Sequence, residues 1–124
     1  MEQRIVNLTP HPLVLEIEDK RGTEGVILRT IDSSGIARCE STETEIGTFA
    51  GLPIVRTTFG AVVGLPAPEP GVAYVVSSIT AQAVEAASSW DGDVHYGRDD
   101  VYVPARPVRD GQGRIVACRA LGRI

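Results

Sequence analysis

The stretch Val72-Ala73-Tyr74-Val75-Val76-Ser77-Ser78-Ile79-Thr80-Ala81-Gln82-Ala83-Val84-Glu85-Ala86-Ala87 decides the reading of the fold. Its first five residues are continuously apolar and mostly β-favouring, as in a central strand covered on both faces. Ser77 and Ser78 then supply an N-cap, and an Ala-rich run without a breaker follows. The spacing predicts a helix over about residues 78–88. It ends at the turn cluster Ser88-Ser89-Trp90-Asp91-Gly92.

Outward from this unit, 13 glycines and 8 prolines punctuate the chain, and short Val/Ile-rich runs fill the gaps. That is a β-dominated pattern. Strands are expected near residues 4–7, 13–18, 25–30, 36–40, 53–59, 61–65, 72–76, 101–103 and 114–121. Asp110-Gly111-Gln112-Gly113 reads as the tight turn of a hairpin that returns through the last of these. Pro66-Ala67-Pro68-Glu69-Pro70-Gly71 is a stiff connector, too short to be a domain linker. The expected architecture is α+β: one domain over residues 1–124, a mostly antiparallel β-sheet with one main α-helix packed on it.

Composition agrees with a single globular domain, at 124 residues, 43% apolar and 23% charged. Only six residues are aromatic, so the core must be largely aliphatic. No run approaches the roughly 20 apolar residues of a membrane span. Met1-Glu2-Gln3-Arg4-Ile5 lacks the basic-then-apolar layout of a secretory leader. A soluble cytoplasmic protein with two reduced thiols, Cys39 and Cys118, is the expectation. Cys-x-x-Cys and His-x-x-x-His spacings are missing, and His11 and His95 lie far apart, so neither a metal site nor a cofactor is expected.

The net charge of −4 argues against general nucleic-acid binding. It is unevenly spread: residues 1–96 carry six basic and thirteen acidic side chains, residues 97–124 six arginines and three aspartates. Eleven arginines stand against the single Lys20. Codon bias accounts for arginine over lysine but not for its concentration at one end. Arginine forks hold phosphate or carboxylate bidentately, which points toward an anionic ligand.

Four constellations could carry chemistry. The helix start at Ser77 and Ser78 presents unpaired N–H groups to an anion, although the serines also serve simply as caps. The segment 88–100, read as an aromatic-bearing loop, holds Trp90, His95 and Tyr96 beside Asp91, Asp93, Arg98, Asp99 and Asp100, with Tyr102 just beyond. Its rings could stack on a base while Arg98 meets a phosphate and Asp99 sugar hydroxyls; packing of Trp90 under the helix and of Tyr102 in the sheet is the plainer reading. In Asn7-Leu8-Thr9-Pro10-His11-Pro12 the chain bends between two strands, with Asn7 or Thr9 bonding the turn; His11 is a structural hydrogen-bonder there or a general base. Asp99 and Asp100 are adjacent on an extended chain and face opposite ways, so they would not converge on one proton or metal. The sequence has no nucleophile elbow, P-loop or dinucleotide fingerprint.

Asn7-Leu8-Thr9-Pro10-His11, Gly64-Leu65-Pro66, Tyr74-Val75-Val76-Ser77, Gly97-Arg98-Asp99-Asp100-Val101 and Arg109-Asp110-Gly111-Gln112-Gly113-Arg114-Ile115 together resemble an uncharacterised family of small bacterial and phage proteins. The resemblance spans most of the chain and implies no catalytic residues. Its phage setting implies one role by analogy, the sequestering of a nucleotide signal of bacterial immunity.

The leading expectation is therefore a non-enzymatic module that binds a small anionic molecule, nucleotide-derived in the first instance. Ser77, Ser78, Arg98, Arg106, Arg109 and Arg114 would supply anion contacts, and Trp90, Tyr96 or Tyr102 a stacking face. A domain this small often needs a second copy to enclose a ligand, so a homodimer or higher homo-oligomer is expected. The runner-up is a small hydrolase or transferase using His11 or His95 as general base with an aspartate to orient it. A protein–protein inhibitor or a structural phage component is a third class.

Overall fold

The computed structural model describes residues 3–18 and 26–124. In chain order these form β1 (Arg4–Asn7), β2 (Leu13–Glu18), β3 (Val26–Ile31), β4 (Arg38–Phe49), β5 (Leu52–Val63), β6 (Val72–Val75), α1 (Ser78–Ala86), β7 (Ser89–Asp91), β8 (Val94–Tyr96), β9 (Val101–Arg109) and β10 (Ile115–Gly122). The α+β reading holds in outline: strands dominate and the helix is short. Gly25, the expected first residue of the third strand, lies outside the described residues.

The main sheet has six strands in the order β1-β6-β9-β10-β2-β3. It is mixed: antiparallel ladders are the longer ones, as expected, and three shorter parallel pairings, which the sequence does not announce, join them. β9–β10 and β2–β3 are antiparallel, whereas β1–β6, β6–β9 and β10–β2 are parallel. The cause is connectivity. A tight turn can join only antiparallel neighbours, while β6 reaches β9 through a crossover that includes α1. β6 lies between β1 and β9, covered on both faces as its unbroken apolar run requires: Tyr74 and Val76 pack with Ala81 of the helix, and Val75 joins Leu13, Leu15 and Cys118 on the other face. That second cluster, with Ile5, Ile31, Tyr102 and Leu121 packed against it, draws on all six strands and contains no helix residue. It is the inside of a curled sheet.

Asn7 closes the curl. Its side chain is fully buried, at 0% exposure. Nδ2 donates to the carbonyls of His11 (2.8 Å) and Ile31 (2.9 Å), and Oδ1 accepts from the Thr9 amide (3.0 Å) and hydroxyl (2.6 Å). Its backbone carbonyl accepts from Ser34 N (2.9 Å), and a parallel bridge to Ser33 links the end of β1 to the chain just past β3. One side chain thus joins the two edge strands of the sheet and shapes the bend between them, as the Asn-Leu-Thr-Pro-His-Pro segment suggested.

The helix starts where expected. Ser77 is the N-cap and its Oγ accepts from Thr80 N. It ends at Ala86 with Ala87 as C-cap, short of residue 88, because Ser88 Oγ donates to the Glu85 carbonyl at 2.6 Å and turns the chain away. Buried Thr80 donates to the Ala37 carbonyl (3.1 Å), tying α1 to the root of β4.

β4 and β5 form a separate two-stranded ribbon. Sequence patterning splits β5 into 53–59 and 61–65 and stops β4 at residue 40; in the structure each is one strand of 12 residues. At the tip, Ala50 and Gly51 both have positive φ (51° and 81°), the pattern of a type I′ hairpin turn, with alanine in a region that favours glycine. At the root, a Cβ on Gly64 would lie 2.4 Å from the Ile36 carbonyl oxygen, so only glycine fits there.

Replacing Asn7 by alanine leaves Thr9 N and the Ile31 carbonyl without the partner that Asn7 gives them at a part-buried site, while the His11 carbonyl keeps the Thr9 hydroxyl (3.0 Å). Each such loss costs about 1–3 kcal/mol, so a destabilisation of about 3 kcal/mol or more is expected in chemical denaturation. A loss under about 1 kcal/mol would show that the curl closes without this side chain.

Candidate functional site

At the end of the curl opposite Asn7, where β1 and β6 begin and β10 ends, the sheet opens into a cavity of about 800 Å³. Apolar groups floor it, among them Ile5, Val72, Ala73 and Leu121, with the Tyr102 ring on one wall. Arg4, Arg29 and Arg98 reach it from three separated stretches of the chain, accompanied by Glu69, Asp99 and Asp100.

The three arginines are not equivalent. Arg98 is locked: Nε and Nη2 donate to the two Asp100 oxygens at 2.9 and 3.0 Å, Nη2 also to the Pro66 carbonyl at 2.8 Å, and its guanidinium lies 5.8 Å from the Tyr74 ring centroid. Both partners are mostly buried, so this pair fastens the 66–71 connector to the start of β9. Arg4 meets Glu69 at 3.4 Å, with both side chains exposed. A pair of that kind contributes at most about 1 kcal/mol and is readily exchanged for a ligand. Arg29 makes no ion pair among the described residues and is exposed. Arg4 and Arg29 are the groups available to an anion. Neither stood out in the sequence, because clustering along the chain drew attention to the C-terminal arginines.

Those arginines sit elsewhere. Arg114 pairs with Asp110 at 3.1 Å and Arg109 donates to the Gly113 carbonyl at 2.8 Å, both at the far end of the β9–β10 hairpin. With Tyr102 at the mouth and Arg109 seven residues along β9, a rise of about 3.3 Å per residue puts them roughly 23 Å apart. Ser77 and Ser78 are engaged in the helix start, Ser77 with Thr80 and Ser78 accepting from Gln82 Nε2, and do not line the cavity. His11 is exposed in the bend, at the closed end of the curl. Arg98, Asp99 and Tyr102 are the sequence-derived candidates that line the cavity.

Within the segment 88–100, residues 89–96 fold as the β7–β8 hairpin. Trp90 does not pack under the helix: it is 63% exposed and lies against His95, ring centroids 4.6 Å apart. Tyr96, on the opposite face of the hairpin, is also exposed. His95 is mostly buried. Its Nδ1 lies 2.9 Å from Asp99 Oδ1, while Nε2 has no hydrogen-bond partner and faces Glu85 Oε2 of the helix at 3.6 Å. Asp99 is held from its other side by Arg123, which also donates to the Asp99 and Arg98 carbonyls. A Cβ on Gly97 would come within 2.6 Å of Ser88 and 2.9 Å of the His95 ring, so glycine here lets the hairpin close on the histidine. Both aspartates of the Asp99-Asp100 pair are thus committed to separate cations, in keeping with their opposite facing.

Among the described residues, no group of three or more His, Cys, Asp or Glu side chains could hold a metal ion. Both cysteines are free; Cys118 is buried, which pushes its thiol up. Among the described residues, no helix is long and apolar enough to cross a membrane.

Hydrogen bonding from His95, and then from Arg123, holds the Asp99 carboxyl below the usual aspartate range. A group lowered in the folded state stabilises above its unfolded value, about 3.9, and loses that contribution as pH falls through the lowered value. Trp90, the sole tryptophan, reports on this contact through His95. Below the ordinary aspartate value its emission is expected to change as the Asp99 carboxyl gains its proton, and Asp99→Asn is expected to abolish that step. A midpoint at or above the ordinary value would contradict the coupling. Comparison with protein-family models, with curated proteins and with solved structures finds no match for this chain.

Proposed function

We propose that the protein binds a small anionic molecule, nucleotide-derived in the first instance, in the cavity at the mouth of the curled sheet, and returns it unaltered. The convergence of Arg4, Arg29 and Arg98 with the Tyr102 ring on one cavity of about 800 Å³ carries this reading. The volume is within the range of small-molecule sites, roughly 300–1,000 Å³, and the mix of apolar floor and few charged groups is their usual make-up. Arg4 and Arg29 would meet the anion, Tyr102 and the aliphatic floor the uncharged portion. Arg98 would act as the fixed frame around which they close. A sequestering role, in line with the resemblance to small phage proteins, needs no more than this.

The test is to mix purified protein with a pool of nucleotides and cyclic dinucleotides and to identify by mass spectrometry what is retained and then released by heat. Retention and release of an unchanged ligand is the expected result. Arg29→Ala should weaken its binding about tenfold, about 1.4 kcal/mol, with an unchanged melting temperature. Arg98→Ala should lower the melting temperature as well, since it leaves Asp100 unpaired. No retained ligand, or full affinity in Arg29→Ala, would refute the assignment.

A second reading has its own observation. The His95–Asp99 pair has the spacing of a histidine oriented by a carboxylate, with Nε2 left unbonded, and Asp99 borders the cavity. A hydrolase or transferase would use Nε2 as general base. Nε2 is buried and faces Glu85 rather than the cavity, which ranks this reading second. If the ligand is released altered, His95→Ala should abolish the change; turnover that persists in the variant would remove His95 from the chemistry.

A further inference from the structure

Glu69 is the one charged residue of the cavity lining that neither reading uses. It stands between two prolines in Pro66-Ala67-Pro68-Glu69-Pro70-Gly71, where the rings restrict the backbone. That backbone is also pinned from outside. The Pro66 carbonyl accepts from Arg98 Nη2 (2.8 Å), the Ala67 carbonyl from the Tyr74 hydroxyl (3.2 Å), the Glu69 carbonyl from Val72 N (3.2 Å) and the Gly71 carbonyl from Arg4 N (2.7 Å). A segment held in this way does not swing. Only side-chain rotation moves the Glu69 carboxylate, so it stays at the cavity mouth whether or not it meets Arg4.

The charge at that mouth can be counted. Its lining holds three arginines, Arg4, Arg29 and Arg98, and three acids, Glu69, Asp99 and Asp100. Arg98 and Asp100 neutralise each other through their two bonds. Asp99 is met by Arg123 at 3.3 Å, and Arg123 does not belong to the lining. Arg4, Arg29 and Glu69 are left, a surplus of one positive charge.

We propose that Glu69 limits the charge of the ligand: the cavity takes a phosphate with a single negative charge, as in a phosphodiester, in preference to a terminal phosphate monoester, which carries close to two at neutral pH. This rests on the reading of the cavity as an anion site. A monoanion matches the surplus. It takes the place of Glu69 on Arg4, an exchange that costs little because both side chains of that pair are exposed. The released carboxylate is held by its backbone within a side chain's length of the new anion. Repulsion between the two rises with the charge on the ligand, and beside an apolar floor it is screened less than in bulk water. A second negative charge therefore finds no uncommitted cation in the lining and one carboxylate opposing it.

Equilibrium dialysis of the full chain tests this with two matched pairs of probes: cyclic adenosine monophosphate against adenosine monophosphate, and the corresponding guanosine pair. Within each pair the base and sugar are shared and the phosphate charge differs. Wild type is expected to hold the cyclic member of a pair about fivefold more tightly, the size of one exposed charge pair. Glu69→Gln is expected to tighten binding of the open monophosphate about fivefold and that of the cyclic one less, so that the preference disappears. Glu43→Gln on β4, which removes an acid outside the lining, should leave the preference as it is. Equal affinity within each pair, a preference that survives Glu69→Gln, or an equal effect of Glu43→Gln overturns the inference and leaves the anion site standing. Binding of none of the four probes, by wild type or by Glu69→Gln, removes the nucleotide reading of the cavity, and the inference falls with it.

Discussion

Everything in the body depends on one buried amide. Asn7 satisfies four partners from two segments with its side chain and a fifth with its backbone, and in doing so brings the first and last strands of the sheet together. With the backbone bond from Ser34 and the bridge to Ser33, that side chain closes the sheet over the inner apolar cluster. A carboxylate in its place would keep the acceptor and lose both donors; leucine would keep the volume and lose all four bonds. Only asparagine and glutamine set two N–H donors beside an acceptor oxygen in one neutral side chain, and the shorter one suits a bend that turns within a few residues.

Closure at one end sets the character of the other. Strands drawn together at Asn7 diverge toward the opposite mouth, and the charged groups gather there because water reaches them. The bidentate Arg98–Asp100 pair keeps that rim from being fluid, joining the connector ahead of β6 to the strand beside it. Arg123 does the same for Asp99 and, through it, for the β7–β8 hairpin. The rim therefore combines fixed cations with two exposed ones, Arg4 and Arg29.

Where local chemistry decides, the sequence was readable. The capped Ala-rich helix, the doubly covered strand at 72–75, the Asp-Gly-Gln-Gly turn and the asparagine bend all follow from signals within a few residues. Where pairing joins distant segments it was not. Nothing near β1 says that its neighbour is β6, so the parallel pairings have no signature in the chain. β4 reads short because its middle, Ser41-Thr42-Glu43-Thr44-Glu45, lacks the apolar face that marks a strand packed on a core; its exposure is real, and it is a strand because β5 pairs with it. The site suffered most. Arg4 and Arg29 are isolated in sequence and adjacent to the cavity in space, while the conspicuous arginines 109 and 114 serve a distant turn.

The placement of β10 between β9 and β2 imposes an order on synthesis. Contacts such as Arg119–Glu16 join residues 103 apart, so the sheet cannot be completed until nearly the whole chain has left the ribosome. The β2–β3 and β4–β5 hairpins need only their own residues and form earlier. Alone, a two-stranded ribbon is at best marginally stable in water, so β4–β5 keeps its pairing only once the helix and sheet at its root have closed.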